Sequence, residues 1–235
     1  MASTFTPSQA FDYAKRFIKN MPLDQVMIQV CDDVNKYMWM AAPWRWTIGA
    51  FPNIPLLNNT QDYTVTLPAD FLYLETSYAT DQTGGVPKIF YIESQLAPGG
   101  KLGTPSRLAV VSGTPGTSGT VRFFPQPGAN SIPASWTAIS YYKKMAPVLT
   151  PANMNTAGVL VFDDEWFHVY VSGVLYFAYL FGDDQRAGGA QIDPSSNKVT
   201  FSGQRGVWEA NIMLMRQREK LAGQTTVTPE QKEQG

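Results

Sequence analysis

A chain of 235 residues can bury one large core or two modest ones. Its 18 basic residues oppose 19 acidic ones for a net charge of −1, which leaves no electrostatic surplus for gripping nucleic acid or an anionic membrane. A single cysteine, Cys31, excludes an intrachain disulfide, and with the single histidine, His168, it supplies too few soft ligands for a closed zinc site. Charged residues make up 16% of the chain, against about 25% in ordinary soluble domains, while aromatics reach 13%. That balance suits a surface covered by partners.

No basic stretch followed by an apolar run opens the sequence, so no secretory leader is expected and synthesis is placed in a cytoplasm. Thr6 and Pro7 offer an N-cap and a first helical proline, and Ala10, Phe11, Ala14, Phe17 and Ile18 follow at helical spacing. After Pro22 the pattern restarts, with Val26, Val30, Val34 and Tyr37 in one stripe flanked by Met27, Cys31 and Met38, until Pro43 stops it. The two helices are expected to pack as a hairpin. Between residues 44 and 142 short runs of β-branched and aromatic residues alternate with Pro, Gly and Asn clusters. Strands are predicted at residues 44–50, 63–67, 72–80, 107–111, 120–124 and 136–142, spaced as in a small sandwich or barrel. Residues 88–95 fit either a strand or a short helix, and residues 97–119 read as loops around one short strand.

Helical spacing returns after Pro147 and Pro151, where Asp163, Asp164 and Glu165 complement the positive end of a helix running to Phe181. The apolar run at residues 166–181 falls short of the ~20 residues that span a bilayer. Residues 188–196 read as a polar crossover, and Val207, Trp208, Ile212, Met215 and Leu221 mark a last helix ending at Gly223. Residues 224–235 are expected to be disordered in isolation. The predicted class is therefore α+β. A helical bundle is built from residues 1–43 and 147–223, with an antiparallel β-sandwich or barrel inserted at residues 44–146. Phe17, Val30, Val34, Leu175 and Trp208 are predicted to share one core.

The residue types that carry chemistry are scarce. Any Ser-His-Asp or Cys-His mechanism must pass through His168, which lies in the most apolar helix, where burial against a carbonyl or hydroxyl is the favoured reading. Cys31, among Val30, Val34 and Met27, reads as a small buried hydrophobe. The pairs Asp32-Asp33, Asp163-Asp164 and Asp183-Asp184 are adjacent, and adjacent helical side chains diverge. Helix-end charge accounts for them. Residues 113–116, Gly-Thr-Pro-Gly, lack the Lys-Ser/Thr of a phosphate loop and read as a hairpin turn. Neither a catalytic residue, a metal nor a cofactor is predicted.

The succession of segments resembles a known family. A Trp-x-Trp strand (Trp44-Arg45-Trp46) follows the two helices, and a Y-x-x-x-LP-x-DF signature comes next, carried by Tyr63, Leu67, Pro68, Asp70 and Phe71. Then come Gly113-Thr114-Pro115, a strand ending in Pro125-Gln126-Pro127, the run Ala138-Ile139-Ser140-Tyr141-Tyr142-Lys143-Lys144 with Leu149-Thr150, and the acidic-capped helix from Asp163. This order is similar to that of the head-to-tail adaptor proteins of short-tailed bacteriophages, the tail-tubular-A-like group. The resemblance implies a structural virion protein at the head-tail junction, in a ring that is usually a dodecamer. The ring would join the portal protein of the DNA-filled head to the tail nozzle protein, with the helical domain toward the portal and the β domain toward the nozzle. Genomic DNA would pass through its lumen without sequence-specific binding, and no membrane and no catalysis are implied. It also implies that the C-terminal segment reaches toward the portal, which makes Thr225, Thr226, Val227, Thr228 and Pro229 a candidate portal-binding tail. Trp44, Trp46, Phe71 and Tyr142 are candidate subunit-interface aromatics. A carbohydrate-binding β-sandwich module of a phage tail component is the alternative, and a hydrolase with an unrecognised carboxylate site comes third.

Overall fold

Thr6 starts the first helix as its chemistry demands. Its hydroxyl accepts from the Gln9 amide, the Gln9 side chain accepts from the Thr6 amide, and Pro7 occupies the first turn, where no intrahelical partner is lost. This helix, α1 (Pro7–Lys15), buries Ala10, Phe11 and Ala14. The computed structural model describes residues 3–18, 24–80, 87–99, 101–128, 136–193, 195–196 and 198–224. In α2 (Asp24–Ala41), Val30, Cys31, Val34 and Met38 enter the core at helical intervals. Phe17, predicted to join them, is 47% exposed. The helix ends at Lys15, so the stripe loses its register there and Ile18 is buried instead.

The region predicted as β follows in short strands: β1 (Ile48–Ala50), β2 (Ile54–Pro55), β3 (Asp62–Thr66), β4 (Phe71–Thr80), β5 (Lys88–Ile89), β6 (Tyr91–Ile92), β7 (Leu102–Gly103), β8 (Arg107–Gly113), β9 (Ser118–Phe124), β10 (Gln126–Pro127) and β11 (Thr137–Lys144). One sheet has the order β1-β11-β4-β5 with β2 added on β11, and another has the order β3-β9-β8-β6. Pairing is antiparallel except where β6 meets β8 and β7 meets β10. A parallel neighbour needs a long return connection, and residues 93–106 supply one between β6 and β8. Leu74, Ala79, Ala138 and Tyr142 from the first sheet share a buried cluster with Tyr63, Leu108, Val121 and Phe123 from the second. Within the first sheet Ser77 and Ser140 are paired in register, and their buried hydroxyls satisfy each other at 2.7 Å.

Two segments depart from the predicted strands. Residues 45–47 form a 3₁₀ turn and only residues 48–50 pair as a strand, because Trp44 is drawn into the helical core, where its indole N–H donates to the Met38 carbonyl. The ambiguous residues 88–95 become β5 and β6, which belong to different sheets, and the buried Phe90 between them anchors the change of sheet. Two residues per strand are too few to show a period.

The chain returns to helix with a 3₁₀ turn at Asp164–Trp166 and α3 (Phe167–Phe181), which buries Val169, Tyr170, Val174 and Ala178 completely and contacts α1 and α2. Residues 188–196, predicted as a polar crossover, instead open a hairpin of β12 (Ala190–Ile192) and β13 (Val199–Phe201). It leads into α4 (Gly203–Gln224), which packs on α3 through Trp208, Ile212 and Met215. Val30, Val34 and Trp208 share one core as predicted, with Leu175 half-buried against it. The chain divides into two compact units: Met1–Trp46 with Ala146–Gly235, and Thr47–Met145.

Candidate functional site

The groups with chemical potential are occupied by structure. Cys31 is fully buried, burial pushes its thiol up to about 12, and its sulfur lies 3.8 Å from the Pro7 carbonyl. The buried Tyr170 hydroxyl donates to the Cys31 carbonyl, tying α3 to α2. His168 is exposed rather than buried, because it lies at the start of α3 on the side away from the core, with Nδ1 2.7 Å from the Glu165 carbonyl oxygen. Asp32 accepts from the Leu149 amide and pairs with Lys36. Asp164 accepts from the Ser3 hydroxyl and from both the amide and hydroxyl of Thr4, which holds the start of the chain and lowers its carboxyl below the ordinary value. Asp184 clamps Arg186 in the same way. Among the described residues no group of three or more His, Cys, Asp or Glu side chains is placed to hold a metal ion. No described helix is long and apolar enough to cross a membrane.

The signature residues pin the β unit internally. The Tyr63 hydroxyl accepts from the Leu57 amide and donates to its carbonyl. Leu67 and Phe71 are buried, and Asp70 accepts from the Tyr142 hydroxyl at 2.6 Å. Burial, with that bond second, raises the Tyr142 phenol to about 12. Phe71 and Tyr142 are thus 8% and 5% exposed in the β core, and Trp44 is 2% exposed in the helical core. Trp46 is half-buried and stacks on Trp44 with ring centroids 5.2 Å apart. These four aromatics pack against their own chain and present little area to another. Residues 225–229 lie outside the described residues.

The exposed apolar surface lies elsewhere. In the β unit, β5 pairs only with Tyr78 and Ala79 of β4, so among the described residues no strand covers residues 71–76 on that side. Leu72 and Tyr73 are about half exposed on this open edge, and a cleft of about 500 Å³ lies between them and Val110 and Val111 of β8. A wider groove of about 740 Å³ continues past Ile89 and Tyr91, which are 71% and 72% exposed. In the helical unit a groove of about 410 Å³ runs over α3, lined by Tyr13 of α1, Phe167, His168, Val171, Ser172 and Leu175 of α3, and Gln204 and Asn211 of α4. Residue spacing found none of these surfaces. The signal for the last was available in α4, where Val207 and Leu214 repeat at an interval of seven on a side that Trp208 and Met215 do not occupy.

Residues 31–200 match the family model described as SU10 adaptor protein, well over half of the chain. The matched stretch begins within α2, takes in the whole β unit and α3, and ends in β13. No curated protein matches the chain.

Proposed function

The chain belongs to the SU10 adaptor protein family, a family of phage head-tail adaptors, and on that premise we propose that it forms a ring between the portal of the DNA-filled head and the tail. The observation that carries this reading is the family match, which spans parts of both units in one continuous stretch. In this reading the helical unit faces the portal, the β unit, built as a sandwich of its two larger sheets, faces the nozzle, and DNA leaves through the shared lumen. Residues 225–229 extend toward the portal. The ring is a homo-oligomer, taken as a dodecamer by resemblance, and the protein resides in the virion.

The surface chemistry supports the proposal. A subunit with 16% charged residues exposes large apolar side chains on both units, among them Tyr73, Ile89 and Tyr91 on one and Val207, Met213 and Leu214 on the other. Exposed apolar side chains that share one groove, as Ile89 and Tyr91 do, mark contact with other proteins. A near-neutral chain also avoids the strong phosphate attraction that would retard DNA exit.

The test is a phage in which the gene carries a nonsense codon. DNA-filled heads without tails are expected under non-suppressing conditions, and cryo-electron microscopy of complete particles should place this chain in a ring under the portal. Particles that carry normal tails without the protein would overturn the proposal.

A further inference from the structure

The register of β12 and β13 pairs Ala190 with Phe201, Gln191 with Thr200, and Ile192 with Val199. Alternate pairs share a face, so Ala190, Phe201, Ile192 and Val199 form one wholly apolar side and Gln191 and Thr200 the other. At the base of the hairpin Ala190 is exposed, while its partner Phe201 is half-buried under the Arg205 guanidinium at 4.5 Å. Toward the tip the apolar side is bare, and Ile192 and Val199 are 65% and 55% exposed. A hairpin of three-residue strands gains little stability in water alone, yet this one is held in a defined geometry. The Ser202 amide donates to the Gly189 carbonyl and the Gly189 amide to the Ser202 hydroxyl. Near the turn, the Asp193 carboxylate accepts from the amide and hydroxyl of Ser195 and from the hydroxyl of Ser196. The structure therefore presents a paired aliphatic knob on a stapled arm.

We propose that this hairpin is an intersubunit arm, whose Ile192–Val199 pair enters the α1–α3–α4 groove of a neighbouring copy of the chain. The proposal rests on the ring reading and names one of its lateral contacts. Groove and knob belong to the same unit, and both are open in the single chain. Their chemistry matches: Phe167, Val171 and Leu175 line the floor, Tyr13 forms one wall, and the exposed Val207 and Leu214 lie one turn from Gln204 and Asn211 on the other. Because knob and groove are different surfaces, their union repeats head to tail, and a closed ring satisfies every copy. The C-terminal residues 225–235 are a poor rival occupant, since Val227 and Pro229 are their only wholly apolar side chains.

The experiment uses assembled particles carrying Tyr13→Cys and Ile192→Cys in the same chain, with the buried native Cys31 left in place. Oxidation should convert most of the subunit into a ladder of covalent multimers on a non-reducing gel, while either single variant yields less than a tenth as much. A double variant incorporated at the wild-type dosage that stays monomeric would overturn the arm. So would Ile192→Cys alone giving dimers as efficiently, because arms would then meet tip to tip. In parallel, Ile192→Asn with Val199→Asn should melt like wild type and lower incorporation into particles at least tenfold. Incorporation at the wild-type level overturns the arm and leaves the ring standing. Absence of the wild-type chain from particles removes the ring reading itself.

Discussion

Gly173 lies in α3 where α2 and α4 both come close, and a methyl group there sets two effects of opposite sign against each other. An added Cβ would lie 2.6 Å from Cε2 and 2.8 Å from Cζ2 of Trp208, and 2.7 Å from Cγ1 of Val34. Carbon atoms in ordinary contact are about 3.5–4.0 Å apart, so two side chains that are 1% and 0% exposed must retreat. Replacing glycine by alanine inside a helix gains about 1 kcal/mol of intrinsic preference. Overpacking a tight core costs about 1–3 kcal/mol, and with neighbours on two helices displaced at once the upper end applies, for a net loss of about 2 kcal/mol. Urea unfolding of Gly173→Ala, followed by near-ultraviolet circular dichroism, should show the midpoint fall with the slope unchanged. Gly189→Ala, whose methyl meets nothing within 4 Å, is the control and should be neutral or slightly stabilising. In a double-mutant cycle Val34→Ala should cost less in the Gly173→Ala background than in wild type, because it makes room for the added methyl. A Gly173→Ala protein as stable as wild type would refute the close packing of α3 on its neighbours.

Three further outcomes are expected. Cys31, buried and with its thiol raised to about 12, should react with a thiol reagent at neutral pH only on unfolding, and rapid labelling of the native protein would contradict its burial. Trp44→Phe removes the buried donor to the Met38 carbonyl and should cost about 1–3 kcal/mol, read as a lower melting temperature of the helical unit. The Asp193 carboxyl is lowered from 3.8 to about 2 by the hydroxyls of Ser195 and Ser196. The unfolded chain therefore binds the proton more readily, so the stabilisation is present above about pH 4 and is lost as pH falls toward 2. Carboxyl NMR should give a midpoint near 2, whereas an unshifted midpoint would dismiss the carboxylate as the turn's organiser.

What sequence by itself determined was whatever depends on neighbours a few residues away. Thr6, Pro7 and Gln9 specify a helix start through bonds they make among themselves, and the inward faces of α2 and α4 follow from a period set by one helix. The β-branched and aromatic runs at residues 63–67 and 120–124 marked the strands that pair as β3 and β9, and the shortage of His and Cys limited the chemistry before any fold was considered. Tertiary structure decided what depends on distant contacts. Spacing could not reveal that α1 stops at Lys15 and leaves Phe17 outside, or that His168 lies on the outer side of α3. The same holds for Trp44, Phe71 and Tyr142, since an aromatic side chain suits a core and an interface equally and only the elements packed around it distinguish them. The groove over α3 draws its lining from residues 13, 175 and 211, and the hairpin of residues 190–201 pairs strands too short to carry a period of their own. Such surfaces exist only after the chain has closed on itself, because burial is a property of the assembled contacts and periodicity a property of the local backbone.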